Sequence, residues 1–282
     1  MDGRLRPIAE LPDALGSEEL AHRLAGALPA VFLDYDGTLT PIVDRPGDAT
    51  ISDRMRETVR RLARRCPVCV ISGRDRTVVQ ELMGLRELVV AGSHGFDIWS
   101  PTGGAVQREV GGEFRTQLGT VQARLCEELS GIAGALVEPK ASSVAVHYRL
   151  VADAERPRVE QIVRDVVRAR PDELRITPGR LVFEIQPNVD WDKGKAVLHL
   201  LKALDLDREG VVPVYLGDDL TDEDAFEALA GRGVGVLVGR AGDPELAGRR
   251  TAADYVLRSV DEVEQFLDTL AAGGPEAGQG AT

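Results

Sequence analysis

The chain has 282 residues, of which 43% are hydrophobic, and its 46 acidic residues outnumber 34 basic ones for a formal net charge of −12. This length and apolar content suffice for one large domain or two ordinary ones with buried cores. The negative charge argues against nucleic acid or an anionic membrane as a partner, so a local cluster of cations would have to capture an anionic substrate.

The sequence also bears on location. No apolar run reaches the ~20 residues needed to span a bilayer, and Met1 to Pro7 lack the apolar core of a signal peptide. We therefore expect a soluble protein in the cytoplasm. Three cysteines fit a reducing compartment. Cys66 and Cys69 have the spacing of a redox pair, but Cys69 runs into an apolar strand, which favours a buried structural role.

The first predicted core element is a buried strand that ends in acidic residues. Residues 1–29 carry a modest amphipathic pattern, and Ala30 to Leu33 then has the apolar character of a parallel-sheet strand. The string Asp34-Tyr35-Asp36-Gly37-Thr38 follows it. Ligands sit at the carboxyl ends of such strands, and two carboxylates this close favour a divalent cation, with Mg²⁺ preferred by oxygen ligands. The alternative is a solvated turn, because Asp, Gly and Thr are ordinary turn residues.

Two further units of strand and helix follow the same pattern. The strand Val68 to Ile71 ends in Ser72-Gly73-Arg74, and the strand Leu88 to Ala91 ends in Gly92-Ser93-His94-Gly95. Strands that alternate with helices predict a parallel sheet covered by helices. A glycine and proline cluster at residues 101–104 then indicates a boundary or a hairpin.

A second region begins near residue 108. Its predicted elements are two amphipathic helices, each followed by a pair of strands, over residues 114–129, 135–138, 142–149, 159–167, 174–177 and 181–185. In one of these strands Val144 and Val146 alternate with Ala145 and His147, so the two sets lie on opposite faces. The repeated units predict a small α/β layer over the first domain.

From Trp191 the pattern of the first region returns. Asp192-Lys193-Gly194 opens a helix, and the strand Val211 to Leu216 runs into an acidic stretch from Gly217 to Asp224. The tail from Gly273 is rich in glycine and alanine, and we expect it to be disordered. The predicted division is core over residues 1–107, cap over 108–188, core over 189–272 and tail over 273–282.

Four core strands thus end in polar residues that parallel pairing would bring to one edge of the sheet. The pairs are Asp34 and Asp36, Ser72 and Arg74, Ser93 and His94, and Asp218 and Asp219. Any one pair can be an ordinary loop, and a lysine at a helix start, such as Lys193, is commonly solvated. Their joint position favours a phosphoryl-transfer site, which works by positioning and charge stabilisation.

The string Asp34 to Thr38 resembles the first motif of the haloacid dehalogenase superfamily of phosphohydrolases. The longer string from Phe32 to Val43 is similar to that of trehalose-6-phosphate phosphatases, as is the string from Gly217 to Phe226. The resemblance covers residues 32–255. It implies a Rossmann-like parallel-sheet core with an inserted α/β cap, and Mg²⁺-dependent hydrolysis of trehalose 6-phosphate through an aspartyl-phosphate.

The resemblance also implies the residue roles. Asp34 is the nucleophile, and Asp36 is the general acid and then the general base. Ser72 contacts the phosphoryl oxygens and Lys193 offsets their charge. The implied metal ligands are Asp34, Asp36, Asp218 and Asp222, with Asp219 left open as an alternative to Asp222. The implied substrate-binding residues are Arg74, Ser93, His94, Glu138, Lys140, His147, Arg149 and Glu184. On the residues alone, cross-strand salt bridges are the better interpretation of Lys140, Arg149 and Glu184.

Three alternatives keep part of this pattern. A phosphatase for sucrose phosphate or a mannosyl phosphoglycerate would share the core residues and differ in the cap. A phosphohexomutase would return the phosphoryl group to a sugar. A sugar-phosphate sensor or a regulatory subunit of a synthase complex would bind without turnover, but an intact set of Asp34, Asp36, Lys193 and Asp218 argues against it. The expected partners are a sugar phosphate and, through functional coupling, a trehalose-6-phosphate synthase.

Overall fold

The computed structural model describes residues 5–43, 46–103, 106, 108–109, 114–179, 181–240, 242–243, 246 and 248–273. In this part of the chain the α-helices are α1 Glu18–Leu24, α2 Asp53–Ala63, α3 Arg76–Met83, α4 Arg115–Leu129, α5 Arg156–Arg168, α6 Lys193–Ala203, α7 Glu223–Leu229 and α8 Val260–Ala272. The strands are β1 Arg6–Pro7, β2 Leu28–Leu33, β3 Val68–Ile71, β4 Val89–Gly92, β5 Asp97–Trp99, β6 Arg108–Glu109, β7 Leu136–Pro139, β8 Val144–His147, β9 Leu174–Gly179, β10 Val182–Pro187, β11 Val211–Gly217, β12 Val234–Val238, β13 Arg250–Thr251 and β14 Tyr255–Leu257. The tail predicted to be disordered lies outside the described residues from 274 onward.

The larger sheet forms the core of the protein. Its described strands have the spatial order β14-β12-β11-β2-β3-β4-β5-β6. The strands from β14 to β4 run parallel to their neighbours, whereas β5 and β6 extend one edge by antiparallel pairing. Because both faces of the parallel strands are covered, their sequences are continuous apolar runs. The predicted α/β core with a parallel sheet is confirmed.

Two apolar cores lie on opposite faces of this sheet, as the alternation along β2 shows. Val31 and Leu33 pack with side chains of α2, α3 and α8, whereas Ala30 and Phe32 pack with side chains of α6 and α7. Cys66 lies in the first core and Cys69 in the second. Burial raises the pKa of these two thiols to about 11 and about 12, so both stay protonated at neutral pH. This burial agrees with the structural role predicted for the pair.

The cap is a separate antiparallel sheet with the strand order β7-β8-β10-β9. Helices α4 and α5 pack on one face of it and enclose a third apolar core that includes Val144 and Val146. The cap was predicted to begin at residue 108, but Arg108–Glu109 pair with β5 and so belong to the larger sheet. Residues 104–105, 107 and 110–113 lie outside the described part, so the limits of the cap stay a prediction. No helix in the described ranges combines the length and apolar character that a bilayer crossing requires.

Candidate active site

The site lies where β11, β2, β3 and β4 end side by side. Leu216 pairs with Leu33, Leu33 with Val70, and Val70 with Val90, all in parallel register. The residues that follow these strands therefore meet at one edge of the sheet, as parallel pairing predicts. The N-terminus of α6 delivers Lys193 to the same place, with Asp192 as the N-cap whose side chain accepts a hydrogen bond from the Lys195 N–H.

At the centre of the site, an ammonium bridges two carboxylates. The Nζ atom of Lys193 lies 3.1 Å from Oδ1 of Asp34 and donates to Oδ1 of Asp222 at 2.7 Å. All three residues are at most 4% exposed. Burial alone would lower the pKa of Lys193, but Asp222 and Asp34 together raise it above the usual lysine range. Lys193 is therefore a fixed positive charge at neutral pH and not a proton donor.

Asp222 organises the acidic loop after β11. Its Oδ1 accepts from Lys193 and, at 2.6 Å, from the hydroxyl of Tyr215, while its Oδ2 accepts from the backbone N–H groups of Asp218 and Asp219 at 3.0 and 2.9 Å. Asp219 instead caps the loop, since its side chain accepts from the N–H of Leu220. Both oxygens of Asp222 are thus engaged in holding Lys193 and the loop in place.

Asp34, Asp218 and Asp222 form the group of carboxylates suited to a metal ion. Each offers one oxygen, and these oxygens lie within 4.8 Å of one another. Gly37, at φ +75°, contacts this group so closely that a Cβ atom there would lie 2.2 Å from Oδ2 of Asp218. Burial raises the pKa of Asp34 well above its usual value, with further increases from Asp222 and Asp36 and a decrease from Lys193. One ammonium against three buried carboxylates leaves a deficit of positive charge, and the hard oxygen donors fit Mg²⁺.

Asp36 is not a member of that group. Its two carboxylate oxygens accept from Nε and a terminal nitrogen of Arg74 at 2.7 and 2.6 Å, the paired geometry typical of a strong ion pair. The guanidinium carbon of Arg74 also lies 5.6 Å from the centre of the Tyr35 ring. The sequence placed Asp36 among the metal ligands, whereas the structure directs its carboxylate to an arginine on the neighbouring strand end. Its assignment as a ligand stays a prediction.

Ser93 and His94 have an unusual backbone. Their φ angles are +49° and +56°, a region that residues other than glycine rarely occupy. The turn is held by two hydrogen bonds, from Ser93 N–H to Arg74 C=O at 2.7 Å and from His94 N–H to Ser72 C=O at 2.8 Å. Strained backbone of this kind persists only where the surrounding structure enforces it, and it is found most often at functional sites. The His94 ring lines the cleft, with Nε2 at 3.7 Å from Oε2 of Glu184, beyond normal hydrogen-bond distance.

The cap covers the site with a second polar group. Nζ of Lys140 donates to Oε2 of Glu184 at 2.8 Å, and the Ser143 hydroxyl donates to Oε1 of the same carboxylate. Burial alone would raise the pKa of Glu184, but the ammonium of Lys140 and the ring of His94 hold it below the usual glutamate range. Beside them Glu138 and Nε2 of His147 lie 2.7 Å apart, and this hydrogen bond lowers the pKa of Glu138.

One cleft brings most of the predicted site residues together. Its wall includes Asp34, Asp36, Arg74, His94, Glu138, Lys140, His147, Arg149, Glu184, Lys193 and Asp218. Ser72, Ser93 and Asp222 are buried and do not line it. The Ser72 hydroxyl accepts from the Arg74 N–H at 3.1 Å, so Ser72 supports the loop that carries Arg74.

Three polar residues that contact the predicted site residues or the cap were not among those predicted from the sequence: Tyr215, Ser143 and Asp75. Tyr215 points inward from the middle of an apolar strand, where it gave no separate signal. Ser143 precedes β8, and its contact with Glu184 depends on the pairing of two cap strands that the sequence does not specify. Asp75 follows the Ser72-Gly73-Arg74 string directly, so its position next to a strand end was a usable signal.

Comparisons with known proteins agree with this geometry. The profile of the family described as Trehalose-phosphatase matches residues 32–260. The trehalose-phosphate phosphatase of Mycobacterium tuberculosis is 41% identical over 268 residues, which cover 94% of this chain and 67% of that protein.

Solved structures show the same fold. The C-terminal domain of the C. albicans trehalose-6-phosphate phosphatase matches with a TM-score of 0.74 at 23% identity, over 93% of this chain and 98% of that one. A haloacid dehalogenase-like hydrolase from Bacteroides thetaiotaomicron matches with a TM-score of 0.60 at 17% identity, over 86% and 99%. At these identities the two structures show the fold alone. The predicted haloacid dehalogenase fold is confirmed.

Proposed function

The chain belongs to the trehalose-phosphatase family, and on that premise we propose that it hydrolyses trehalose 6-phosphate to trehalose and phosphate, the last step of trehalose biosynthesis. The observation that carries the proposal is the buried pair of Asp34 and Lys193 at a sheet edge that a polar cap covers. A phosphate needs the charges of the core, and a disaccharide needs the polar groups of the cap. The relatives' names support the same substrate.

The chemistry follows from the positions of the carboxylates. Asp34 attacks phosphorus through a carboxylate oxygen, and the bond from phosphorus to the sugar oxygen breaks. The proton for the leaving oxygen comes from the Asp36 carboxyl group. Asp36 then takes a proton from a water molecule that attacks the aspartyl-phosphate, which releases phosphate and restores Asp34. In this structure both Asp36 oxygens accept from Arg74, and the Asp36 side chain lines the cleft.

The residues that would hold Mg²⁺ are Asp34 and Asp218, with Asp222 beside them. When bound, the cation would offset the carboxylate charge and the charge that develops on the phosphoryl oxygens. Lys193 contributes a second fixed positive charge next to the nucleophile. Asp222 acts mainly as a positioning residue, because all its described hydrogen bonds hold Lys193, Tyr215 or the loop.

The cap residues read the sugar in this proposal. Glu138, Lys140, His147, Arg149 and Glu184 lie on the cleft side of the cap sheet. Their charges and hydrogen-bonding atoms suit the hydroxyl groups of a sugar, whereas the other face of the sheet is an apolar core. Functional coupling to a trehalose-6-phosphate synthase, which would supply the substrate, and a cytoplasmic location stay predictions.

The proposal is tested by measuring phosphate release from trehalose 6-phosphate with the wild-type chain, with and without a chelator. We expect turnover that the chelator abolishes and that added Mg²⁺ restores. A chain that binds trehalose 6-phosphate without releasing phosphate would instead be a sugar-phosphate sensor. Phosphate release that the chelator leaves unchanged would contradict the metal dependence but would still support the phosphatase activity.

A further inference from the structure

Asp75 occupies a helix N-cap position without capping the helix. It precedes α3, and aspartate is among the residues preferred there because its carboxylate can accept from the first free N–H groups. Ser52, Asp192 and Ser259 cap their helices in this way. The carboxylate of Asp75 makes no such bond. The start of α3 therefore gives up a stabilising interaction that the sequence could have provided.

The carboxylate joins the core to the cap instead. The backbone N–H of Ala141, in the turn between β7 and β8, donates to its two oxygens at 2.9 and 3.1 Å. The hydroxyl of Ser93, in the strained turn after β4, donates to Oδ1 at 3.0 Å. One side chain thus connects the start of α3, the turn that presents His94, and the cap.

The same cap turn contacts the core at a second point. Nζ of Lys140 donates to the backbone carbonyl of Gly73 at 2.9 Å as well as to Glu184. The turn itself is closed by a hydrogen bond from Lys140 N–H to Ser143 C=O at 2.9 Å. Residues 140–143, which include two neighbours of Glu184, are therefore fixed to the loop of residues 73–75 at the rim of the cleft.

We infer that Asp75 is a positioning residue that sets the distance between the sugar-reading residues of the cap and the phosphate site of the core. The inference rests on the proposed function, because only a substrate that contacts both the core and the cap is sensitive to this distance. A small phosphate ester that contacts the core alone is not. Asp75 also lines the cleft, but in this inference it acts through its bond to the Ala141 N–H and thus through the turn that carries Lys140.

The test uses Asp75→Ser, since serine can cap α3 but is too short to reach Ala141. We expect kcat/KM for trehalose 6-phosphate to fall about 10-fold to 100-fold, the range for loss of a hydrogen bond to a charged group. The loss should appear chiefly as a higher KM, because the cap binds the sugar equally strongly in the ground state and the transition state. Hydrolysis of a small aryl phosphate should stay within about threefold of wild type. Asp75→Asn keeps an acceptor oxygen for Ala141, and it should retain most of the activity.

Hydrogen exchange supplies a readout that needs no substrate. The backbone amides of residues 140–143 should exchange at least about 10-fold faster in Asp75→Ser, whereas those in the second half of α3 should not change. Unchanged exchange at 140–143 would overturn the inference whatever the wild-type chain hydrolyses. Failure of the proposed function would show in the wild-type assay instead.

A second variant removes the same bond from the cap side. Ala141→Pro lacks the N–H that Asp75 accepts and leaves the core sequence intact, so it keeps the inference testable if Asp75→Ser fails to fold. In a double-mutant cycle, the double variant should lose less than the product of the two single losses, because the bond between Ala141 and Asp75 is broken by both changes. If the kcat/KM losses of the two single variants multiply in the double variant, the two residues act separately, which would contradict the inference. Equal losses with trehalose 6-phosphate and the aryl phosphate would show damage to the core and would also contradict it.

Discussion

Lys193 and Asp34 show how single residues of the site depend on each other. The ammonium of Lys193 is stabilised because Asp222 and Asp34 offset its burial. For Asp34 the charged form is disfavoured instead, since burial and two neighbouring carboxylates raise its pKa in spite of Lys193. A nucleophile must be ionised, so the site favours a further cation beside Asp34. The fold alone therefore disfavours the ionised form that Asp34 needs in its proposed role.

Asp34→Asn tests the nucleophile. The amide keeps the shape of the side chain and removes a carboxylate that burial disfavours, so we expect an unchanged or higher melting temperature without metal. Turnover of trehalose 6-phosphate should fall by roughly 10³-fold or more, because the amide cannot form the aspartyl-phosphate. Thermal unfolding and phosphate release measure the two effects. Activity near that of wild type would exclude a covalent intermediate on Asp34.

Asp218→Ala tests the metal site. Removing one of the three grouped carboxylates should raise the Mg²⁺ concentration needed for half-maximal activity by about 10-fold or more, alongside lower maximal activity. A matched control is Asp261→Ala, which changes an acidic residue in the first turn of α8, away from the site. A Mg²⁺ titration of Asp218→Ala that overlays the wild-type curve would place the metal elsewhere.

Glu184→Gln tests the buried pair with Lys140. The pKa of Glu184 lies below that of an unfolded glutamate, about 4.3, so the pair stabilises the fold above that pH and loses this effect as the pH falls toward the folded-state pKa. Breaking the pair should lower the free energy of unfolding by about 3 kcal/mol near pH 7. The difference from wild type should shrink below about pH 4.

Urea denaturation at several pH values measures this difference. The control is Glu160→Gln, which breaks the surface pair of Glu160 with Arg164 on α5. It should change the free energy of unfolding by less than about 0.5 kcal/mol at any pH. A Glu184→Gln effect that is equally large at pH 3 and pH 7 would show that the carboxylate charge is not what stabilises the pair.

At the scale of elements, the predictable parts are those that the local sequence determines. The strand Val68–Ile71 has the bounds that its apolar run predicts, and β11 begins at the predicted Val211 and ends one residue later than predicted, at Gly217. The short strands β5, β6 and β14 were not predicted, because two or three residues pair only where the rest of the sheet offers an edge. The left-handed turn at Ser93 and His94 had no local signal either, since it is held by hydrogen bonds that the Ser93 and His94 N–H groups donate to the carbonyls of Arg74 and Ser72.

Three polar residues of the cap are predicted to determine substrate specificity. Lys140→Ala, Arg149→Ala and Glu184→Ala should each lower kcat/KM for trehalose 6-phosphate by about one to two orders of magnitude, or ~1–3 kcal/mol per lost polar contact. Hydrolysis of a small aryl phosphate should fall far less, because that substrate does not reach the cap. Arg164→Ala, on the exposed face of α5, is a control that should affect neither substrate. Proportional losses with both substrates would show that the cap residues are structural.

The whole molecule divides its work between two layers. The core sheet gathers Asp34, Arg74, Lys193 and Asp218 at one edge, and the cap sheet places its polar face opposite them. Although the chain carries a net charge of −12, Arg74, Lys140, Arg149 and Lys193 all line the cleft. The same cleft is also lined by seven carboxylates, so these four cations alone do not make it positive, and we expect a bound Mg²⁺ to add the charge that an anionic substrate requires.

The same division explains how far the sequence could predict the site. The core residues follow strands that the apolar pattern identifies, so their common edge could be derived before the structure. The contacts between the layers, such as Asp75 with Ala141 and Lys140 with Gly73, depend on how the cap sits on the core. No local pattern encodes that arrangement, because the partners are more than sixty residues apart in the chain.

The most direct test of the account is the kcat/KM of the wild-type chain with Mg²⁺ for trehalose 6-phosphate, compared with sucrose 6-phosphate, a mannosyl phosphoglycerate and a small aryl phosphate. We predict that trehalose 6-phosphate is preferred over each of the others by at least about 10²-fold, since we propose that the polar groups of the cap bind trehalose while the core binds the phosphate. Equal values for all four would show that the cap does not read the sugar, and a preference for another disaccharide phosphate would contradict the proposed substrate.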